Sequence, residues 1–176
     1  MSPGPGPRER ATPFTLVTSL RGPGRGWLPL IFWLATHLPL PRWTLLRLRL
    51  IHYARWTILS EPRPRLLFES DFNGAPDGYV EAFSYVFPRG MRAIWGSSEG
   101  FPGPLPVASL REWIDERAIP ASHHYSAYPA ASTKEVLAAL EVKRRLRDFG
   151  ERTARAGPER FAAEYERLLH DLQREL

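Results

Sequence analysis

The segments IHYARWTIL at residues 51–59 and RLLFESDF at residues 65–72 decide the fold prediction. Both are rich in aromatic and branched side chains, and the intervening SEPRP forms a turn because its prolines cannot continue a strand. They therefore predict an antiparallel β-hairpin. Since neighbouring strand residues point to opposite faces, we expect His52 and Trp56 on one face and Arg55 on the other.

The flanking sequence extends this hairpin to a larger sheet. Residues 14–20 (FTLVTSL) and 122–128 (SHHYSAY) predict a first and a last strand. An apolar run from residue 27 to 40 predicts a helix, and a second helix follows Pro76, which suits a first helical turn. The order of elements predicts an α+β fold with a ferredoxin-like βαββαβ core, an antiparallel sheet and additional C-terminal helices.

The length of 176 residues fits one domain with a hydrophobic core. Residues 1–13 begin with a Pro/Gly-rich stretch and predict a flexible tail, residues 14–149 the ferredoxin-like domain, and residues 150–176 a C-terminal amphipathic helix. The N-terminal segment has no apolar core of the kind found in secretory signal peptides. We therefore expect a cytoplasmic protein, either free or peripheral to the inner face of the membrane.

The composition excludes cysteine-based chemistry and disfavours one class of partner. The chain has no cysteine, which excludes disulfides, thiolate nucleophiles and Cys-based metal sites. Its net charge of +5 is carried by arginines, with Lys134 and Lys143 as the only lysines. These basic residues are scattered, and no aromatic-basic RNA-binding motif is present, so the sequence disfavours nucleic acid as a partner.

The most unusual segment is the apolar stretch of residues 27–50, which has arginines on both sides. Its apolar run, residues 27–40, is broken by prolines and is shorter than the ~20 apolar residues that cross a bilayer. Two interpretations are open: a crossover helix packed on the sheet, or a segment in the membrane interface with aromatic rings at headgroup depth. The candidate residues for binding a membrane or an apolar ligand are Trp27, Phe32, Trp33, Arg42, Trp43, Trp95 and Tyr128.

Polar residues of the central strands suggest a second site. The candidate catalytic residues are His52, Arg55, Asp71 and Tyr125. His52 is either a general base or a haem ligand, or a buried neutral imidazole; Asp71 is either a ligand contact or part of a turn. We predict no metal site, because His123 and His124 are neighbours on a strand and point to opposite faces.

Several motifs resemble a group of uncharacterised bacterial proteins of the ferredoxin-like or dimeric α+β barrel type. The motifs are HYARW (52–56), LFESDFNG (67–74), AIWG (93–96) with GFPG (100–103), and YSAYP (125–129). The resemblance covers roughly residues 14–149. It implies the fold and, by analogy, a homodimer. Related α+β barrel families bind haem, so haem enters as a candidate cofactor through this resemblance alone.

Two functional hypotheses follow. The first is a small accessory protein that binds an apolar ligand or the membrane surface. The alternative is a small enzyme of the dimeric α+β barrel type, related to haem or peroxide chemistry. No nucleophile, base and orienting group occur together in a recognisable spacing, so the sequence assigns no reaction.

Overall fold

The computed structural model describes residues 11–22, 24–38, 50–128 and 131–173. Contacts divide the chain into two compact units, Met1–Ser132 and Thr133–Leu176. The helix that begins at Thr133, which the sequence analysis grouped with the sheet domain, is therefore in the same unit as the last helix.

The first unit is mixed α+β, with strands β1 (Ala11–Ser19), β2 (Ile51–Leu59) and β3 (Arg65–Asn73). In the described part of the chain they form one three-stranded antiparallel sheet of order β1-β3-β2. The predicted hairpin is confirmed, with Thr57 opposite Leu67. β1 begins before the predicted residue 14, and residues 1–10 of the predicted tail lie outside the described residues.

The helices of the described residues are α1 (Gly24–His37), α2 (Pro76–Val86), α3 (Pro88–Trp95), α4 (Val107–Asp115), α5 (Thr133–Thr153) and α6 (Pro158–Leu172). The sequence analysis did not predict α3 as a separate helix. Pro88 ends α2, because it has no N–H to donate, and it also starts α3, where that N–H is not needed.

The prediction of a fourth strand at residues 122–128 is wrong, because these residues form no strand. The free edge of β1 instead meets two single bridges, Leu16 with Ala118 and Leu20 with Ser98. Ile119 N–H donates to the carbonyl of Thr15 at 2.9 Å. The next residue in the chain is a proline, which has no N–H to extend this pairing.

The core lies between the sheet and the helices of the first unit. Alternation along β3 is as predicted: Leu66, Phe68, Ser70 and Phe72 share the buried face, and each is at most 2% exposed. Phe68 is surrounded by the rings of Phe14, Trp56, Phe83 and Trp95, at centroid distances of 5.0–6.4 Å. This aromatic cluster attaches the sheet to α2 and α3.

Three hydrogen bonds, two of them fully buried, satisfy polar groups of this core. Thr18 and Ser98 share one between their hydroxyls at 2.8 Å. The Tyr79 hydroxyl donates to Ser70 Oγ at 3.0 Å, and Ser70 donates to the carbonyl of Tyr53 at 2.8 Å. Burial raises the pKa of Tyr79 well above its usual value near 10.

The buried Tyr79 hydroxyl predicts a loss of stability at alkaline pH. The unfolded chain releases this proton near pH ~10, whereas the folded protein retains it. The contribution of Tyr79 to the free energy of unfolding should therefore not change with pH below pH ~10. Above pH ~10, the free energy of unfolding should fall by up to ~1.4 kcal/mol per pH unit. Urea midpoints across this range should show a shallower decline for Tyr79→Phe, and equal slopes would contradict the prediction.

Gly24, at the start of α1, lies so close to Ser97 that a larger side chain should destabilise the protein. A Cβ added there would lie 2.6 Å from Ser97 Cβ, whereas a Cβ at Gly26 would meet nothing within 4 Å. Gly24→Ala is expected to destabilise the protein by about 1–3 kcal/mol. Gly26→Ala, the matched control, should stabilise it by up to about 1 kcal/mol through helix propensity. Thermal unfolding of both variants checks the prediction, which a shift of the same sign would contradict.

The second unit is a helical hairpin of α5 and α6. The ring of Phe149 contacts those of Phe161 and Tyr165 at centroid distances of 5.4 and 6.2 Å. On α5, hydrogen bonds from Arg144 and Arg145 lower the pKa of Glu141 to about 2. The hairpin is therefore joined by an aromatic cluster and carries charge pairs on its surface.

Candidate functional site

Helix α1 presents one apolar side to the core and another to solvent. Leu28 is fully buried, and Ile31 and Phe32 pack against the core cluster. The opposite side carries large apolar residues, namely Trp27, Leu30, Trp33 and Leu34, and Leu38 follows directly after the helix; the five are 37–57% exposed, and we call this surface the apolar face of α1. Such a face remains because residues 26–36 contain no polar side chain except Thr36.

The last turn of α1 fixes the side chains next to this face. The Trp33 ring stacks on His37 with a centroid distance of 4.5 Å. His37 Nδ1–H donates to the carbonyl of Trp33 at 2.8 Å, and the Thr36 hydroxyl donates to that of Phe32 at 2.8 Å. These bonds use polar groups within the helix and leave the Trp33 ring exposed. No helix of the described residues has the length and apolarity to cross a bilayer.

The structure separates the predicted apolar candidates into different places. Trp27 and Trp33 lie on the apolar face of α1, whereas Phe32 points inward, with its ring 6.2 Å from that of Trp56. Trp95 is a core residue, 3% exposed, and Tyr128 is 79% exposed. Arg42 and Trp43 lie outside the described residues.

The sequence analysis missed Leu30, Leu34 and Leu38 as members of this face. A helical projection centred on Leu28 would have found Leu30 and Leu34, since residues two and six positions later point away from the core side, whereas Leu38 directly follows the last residue of α1. The prolines at positions 29 and 39 obscured this periodicity. The face is thus a property of one regular helix rather than of the aromatic residues alone.

The sequence around α1 lacks acidic residues. From Ala11 to Ser60 the sequence has six arginines and no aspartate or glutamate. Arg21, just before the helix, donates to the carbonyls of Gly96 and Ser98 at 2.8 and 3.3 Å. The helix α3, which contacts α1, exposes Arg89 and Arg92. The sequence on both sides of the apolar face therefore carries positive charge without acidic residues.

A polar cluster lies on the other face of the sheet. Arg55 of β2 pairs with Glu69 of β3, its Nε donating at 2.9 Å. His124 Nε2 lies 3.4 Å from Asp71 Oδ2. Partial burial, followed by the charges of Asp71 and Glu69, raises the pKa of Tyr53. Each carboxylate of this cluster therefore has a basic partner.

The four candidate catalytic residues do not come together. Arg55 and Asp71 share this face but pair with other residues, and Tyr125 is 80% exposed. The prediction that His52 shares a face with Trp56 is wrong. The register shifts between Ile51 and Tyr53, so His52 occupies an irregularity of the strand and is exposed.

The described residues do not fit a haem. A haem ligand needs an apolar pocket beside it, and His52 is a surface residue. The interior apolar cavity, lined in part by Phe14, Phe68, Met91 and Trp113, has a volume of about 20 Å³. Pockets for cofactors or drug-sized ligands are typically ~300–1,000 Å³. Within the described ranges, no three metal-ligating side chains are grouped to hold an ion.

The second unit has a larger groove of about 670 Å³, lined mainly by charged residues of α5 and α6. Its arginines all pair with carboxylates: Arg144 with Glu141 and Asp148, Arg145 with Glu141 and Asp171, and Arg152 and Arg167 with Glu164. Because each arginine already has a carboxylate partner, the groove does not favour an anionic ligand.

Comparisons with known proteins do not show a family for this chain. No family model matches the chain, and neither a curated protein nor a solved structure is significantly similar to it.

Proposed function

We propose that this protein binds the surface of an anionic membrane through the apolar face of α1. The observation that carries the proposal is the contiguous exposure of two tryptophans and three leucines on one basic-flanked helix. An exposed apolar patch of this size on a soluble domain usually marks an interaction surface. Tryptophan is also the side chain most suited to the headgroup region.

The shape of the surface favours a bilayer over a small apolar ligand. Small molecules bind in concave pockets that enclose most of their surface. The apolar face of α1 is the convex side of a helix, and the interior apolar cavity of about 20 Å³ is too small for a ligand. A helix lying in the interface needs no cavity, because the lipids surround its exposed side.

The estimated transfer free energy predicts that apolar contact with the membrane alone gives weak binding. Two half-exposed indoles and three leucines offer on the order of 400 Å² of apolar area. Transfer of half of this area contributes about 5 kcal/mol, similar to the marginal binding of a single myristoyl chain. Arginines near an anionic surface add about 1 kcal/mol each. Stable binding therefore requires both contributions, and the protein is proposed to be peripheral to the anionic inner leaflet.

Co-sedimentation with lipid vesicles tests this function. We expect binding to vesicles that contain phosphatidylglycerol, weaker binding to pure phosphatidylcholine, and a decrease as salt screens the arginines. Absence of binding to the anionic vesicles at low salt would refute the proposal.

For the fold, we propose a ferredoxin-like core whose fourth strand is reduced to two bridges. The order β1-β3-β2 and the positions of α1 and α2 between strands support this interpretation. The bridges of Ala118 and Ser98 lie on the free edge of β1, where a fourth strand would pair. An experimental structure with a continuous strand on that edge, or with a different order, would test it.

A further inference from the structure

The last turn of α1 holds a titratable side chain, His37, at the border of the apolar face. Its ring stacks on that of Trp33 with a centroid distance of 4.5 Å and an angle of 28° between the ring planes. Both side chains are exposed. When the indole of Trp33 lies at the headgroup depth of a bilayer, the stacked imidazole therefore lies at that depth too, among the lipid phosphates.

The hydrogen bond of His37 fixes which ring nitrogen takes up a proton. Nδ1 lies 2.8 Å from the carbonyl oxygen of Trp33, and because a carbonyl can only accept, Nδ1 carries the hydrogen of the neutral ring. Nε2 then holds a lone pair and cannot donate to a phosphate oxygen. Protonation adds a hydrogen at Nε2 and leaves the bond of Nδ1 in place. His37 therefore gains a donor for a lipid phosphate only when it becomes positively charged.

The protein itself offers no anion to this charge in the part of the chain that the structure describes. Among those residues His37 forms no ion pair, and its Nε2 has no hydrogen-bond partner. The charged or titratable residues of the elements next to it are Arg25 at the other end of α1, Arg89 and Arg92 on α3, and His52, Tyr53 and Arg55 on β2. None of these is a carboxylate, so a lipid phosphate would be the first counter-ion of protonated His37.

We propose that protonated His37 donates from Nε2 to a lipid phosphate, which makes binding through the apolar face of α1 tighter at acidic pH. This regulation rests on the proposed membrane binding and makes it dependent on protons. Histidine is the side chain that ordinarily changes charge between pH ~5 and ~8, so the affinity should be high at the acidic end of this range and fall as pH rises. One basic residue near an anionic surface strengthens binding about fivefold.

Co-sedimentation with phosphatidylglycerol vesicles at pH ~5.5 and pH ~7.5 tests the proposal. The phosphodiester of this lipid is ionised at both pH values, so the charge of the vesicle does not change. At ~0.1 M salt, charges farther than about 10 Å from the surface are largely screened, which limits the contribution of remote histidines. We expect the partition coefficient of the wild type to be about fivefold higher at pH ~5.5.

Three variants assign this ratio to His37. His37→Gln should partition almost equally at the two pH values, whereas His37→Arg should bind tightly at both, because a guanidinium stays charged. The matched control is His123→Gln, which makes the same substitution at an exposed histidine outside α1 and should keep the wild-type ratio. Rescue by arginine would not be expected if His37 only stabilised the end of the helix.

The outcomes separate this regulation from the membrane function on which it rests. Wild-type binding that is equal at the two pH values would overturn the role of His37 and leave the membrane function standing. A pH-dependent ratio that persists in His37→Gln, or that His123→Gln removes as well, would overturn it too, because other histidines would then be responsible. Absence of binding at both pH values would refute the membrane function and the regulation together.

Discussion

Replacing Phe68 with alanine is expected to lower the free energy of unfolding by about 3–5 kcal/mol. The side chain is 2% exposed and is packed against four other aromatic rings contributed by β1, β2, α2 and α3. Large rings on all sides cannot close the space that the substitution leaves, so the cavity persists. Because domains of this size have ~5–15 kcal/mol of stability, the loss is a large fraction of the total.

Urea unfolding gives the measurement, with the change in midpoint interpreted at constant m-value. Leu67→Ala is the matched control, since Leu67 is the preceding residue of β3 and points to the half-buried face of the sheet. We expect a cost near 1 kcal/mol there. Equal costs for the two substitutions would mean that the aromatic cluster does not hold the sheet to the helices.

The second large effect is expected for membrane binding. Trp27→Asp combined with Trp33→Asp should reduce partitioning into anionic vesicles by about 100-fold or more, since full burial of each apolar side chain contributes ~1.5–3 kcal/mol. The new carboxylates are also repelled by anionic lipids. Because the two indoles are 53% and 57% exposed, the fold should tolerate both substitutions.

Tyr85→Asp combined with Tyr125→Asp is the control for this experiment. Both tyrosines are exposed aromatic residues outside α1, at 63% and 80% exposure, and their substitution introduces the same charge. Vesicle co-sedimentation of this variant should stay near the wild-type value. If both double variants lose binding equally, net charge rather than the apolar face of α1 governs the association.

The hairpin illustrates what sequence patterns can predict. The bounds of β2 agree with the prediction and β3 extends one residue further, because Pro62 and Pro64 punctuate the sequence between them. The β3 side chains that point into the core also agree with the prediction, because successive strand residues alternate between the two faces of the sheet. These features are local: neighbouring residues alone establish the turn and the period.

His52 illustrates where such patterns fail. Alternation assigned it to the core face, but a shift in register exposes it. The shift depends on how β2 fits the neighbouring strand, which no short segment of sequence encodes. The other candidate catalytic residues are separated for different reasons: Arg55 pairs with Glu69, Asp71 pairs with His124, and Tyr125 is exposed in a segment that forms no strand.

By itself, the sequence determined the three strands, the helices α1 and α2 and the apolar character of α1, because periodicity, prolines and composition act over a few neighbouring residues. Only the tertiary structure decided which side of α1 is buried, that residues 122–128 do not pair as a strand, and that the helix from Thr133 belongs with α6. Each of these outcomes depends on contacts between residues distant in the chain. The apolar face of α1 is exposed because one side of the helix already fills the space on the sheet.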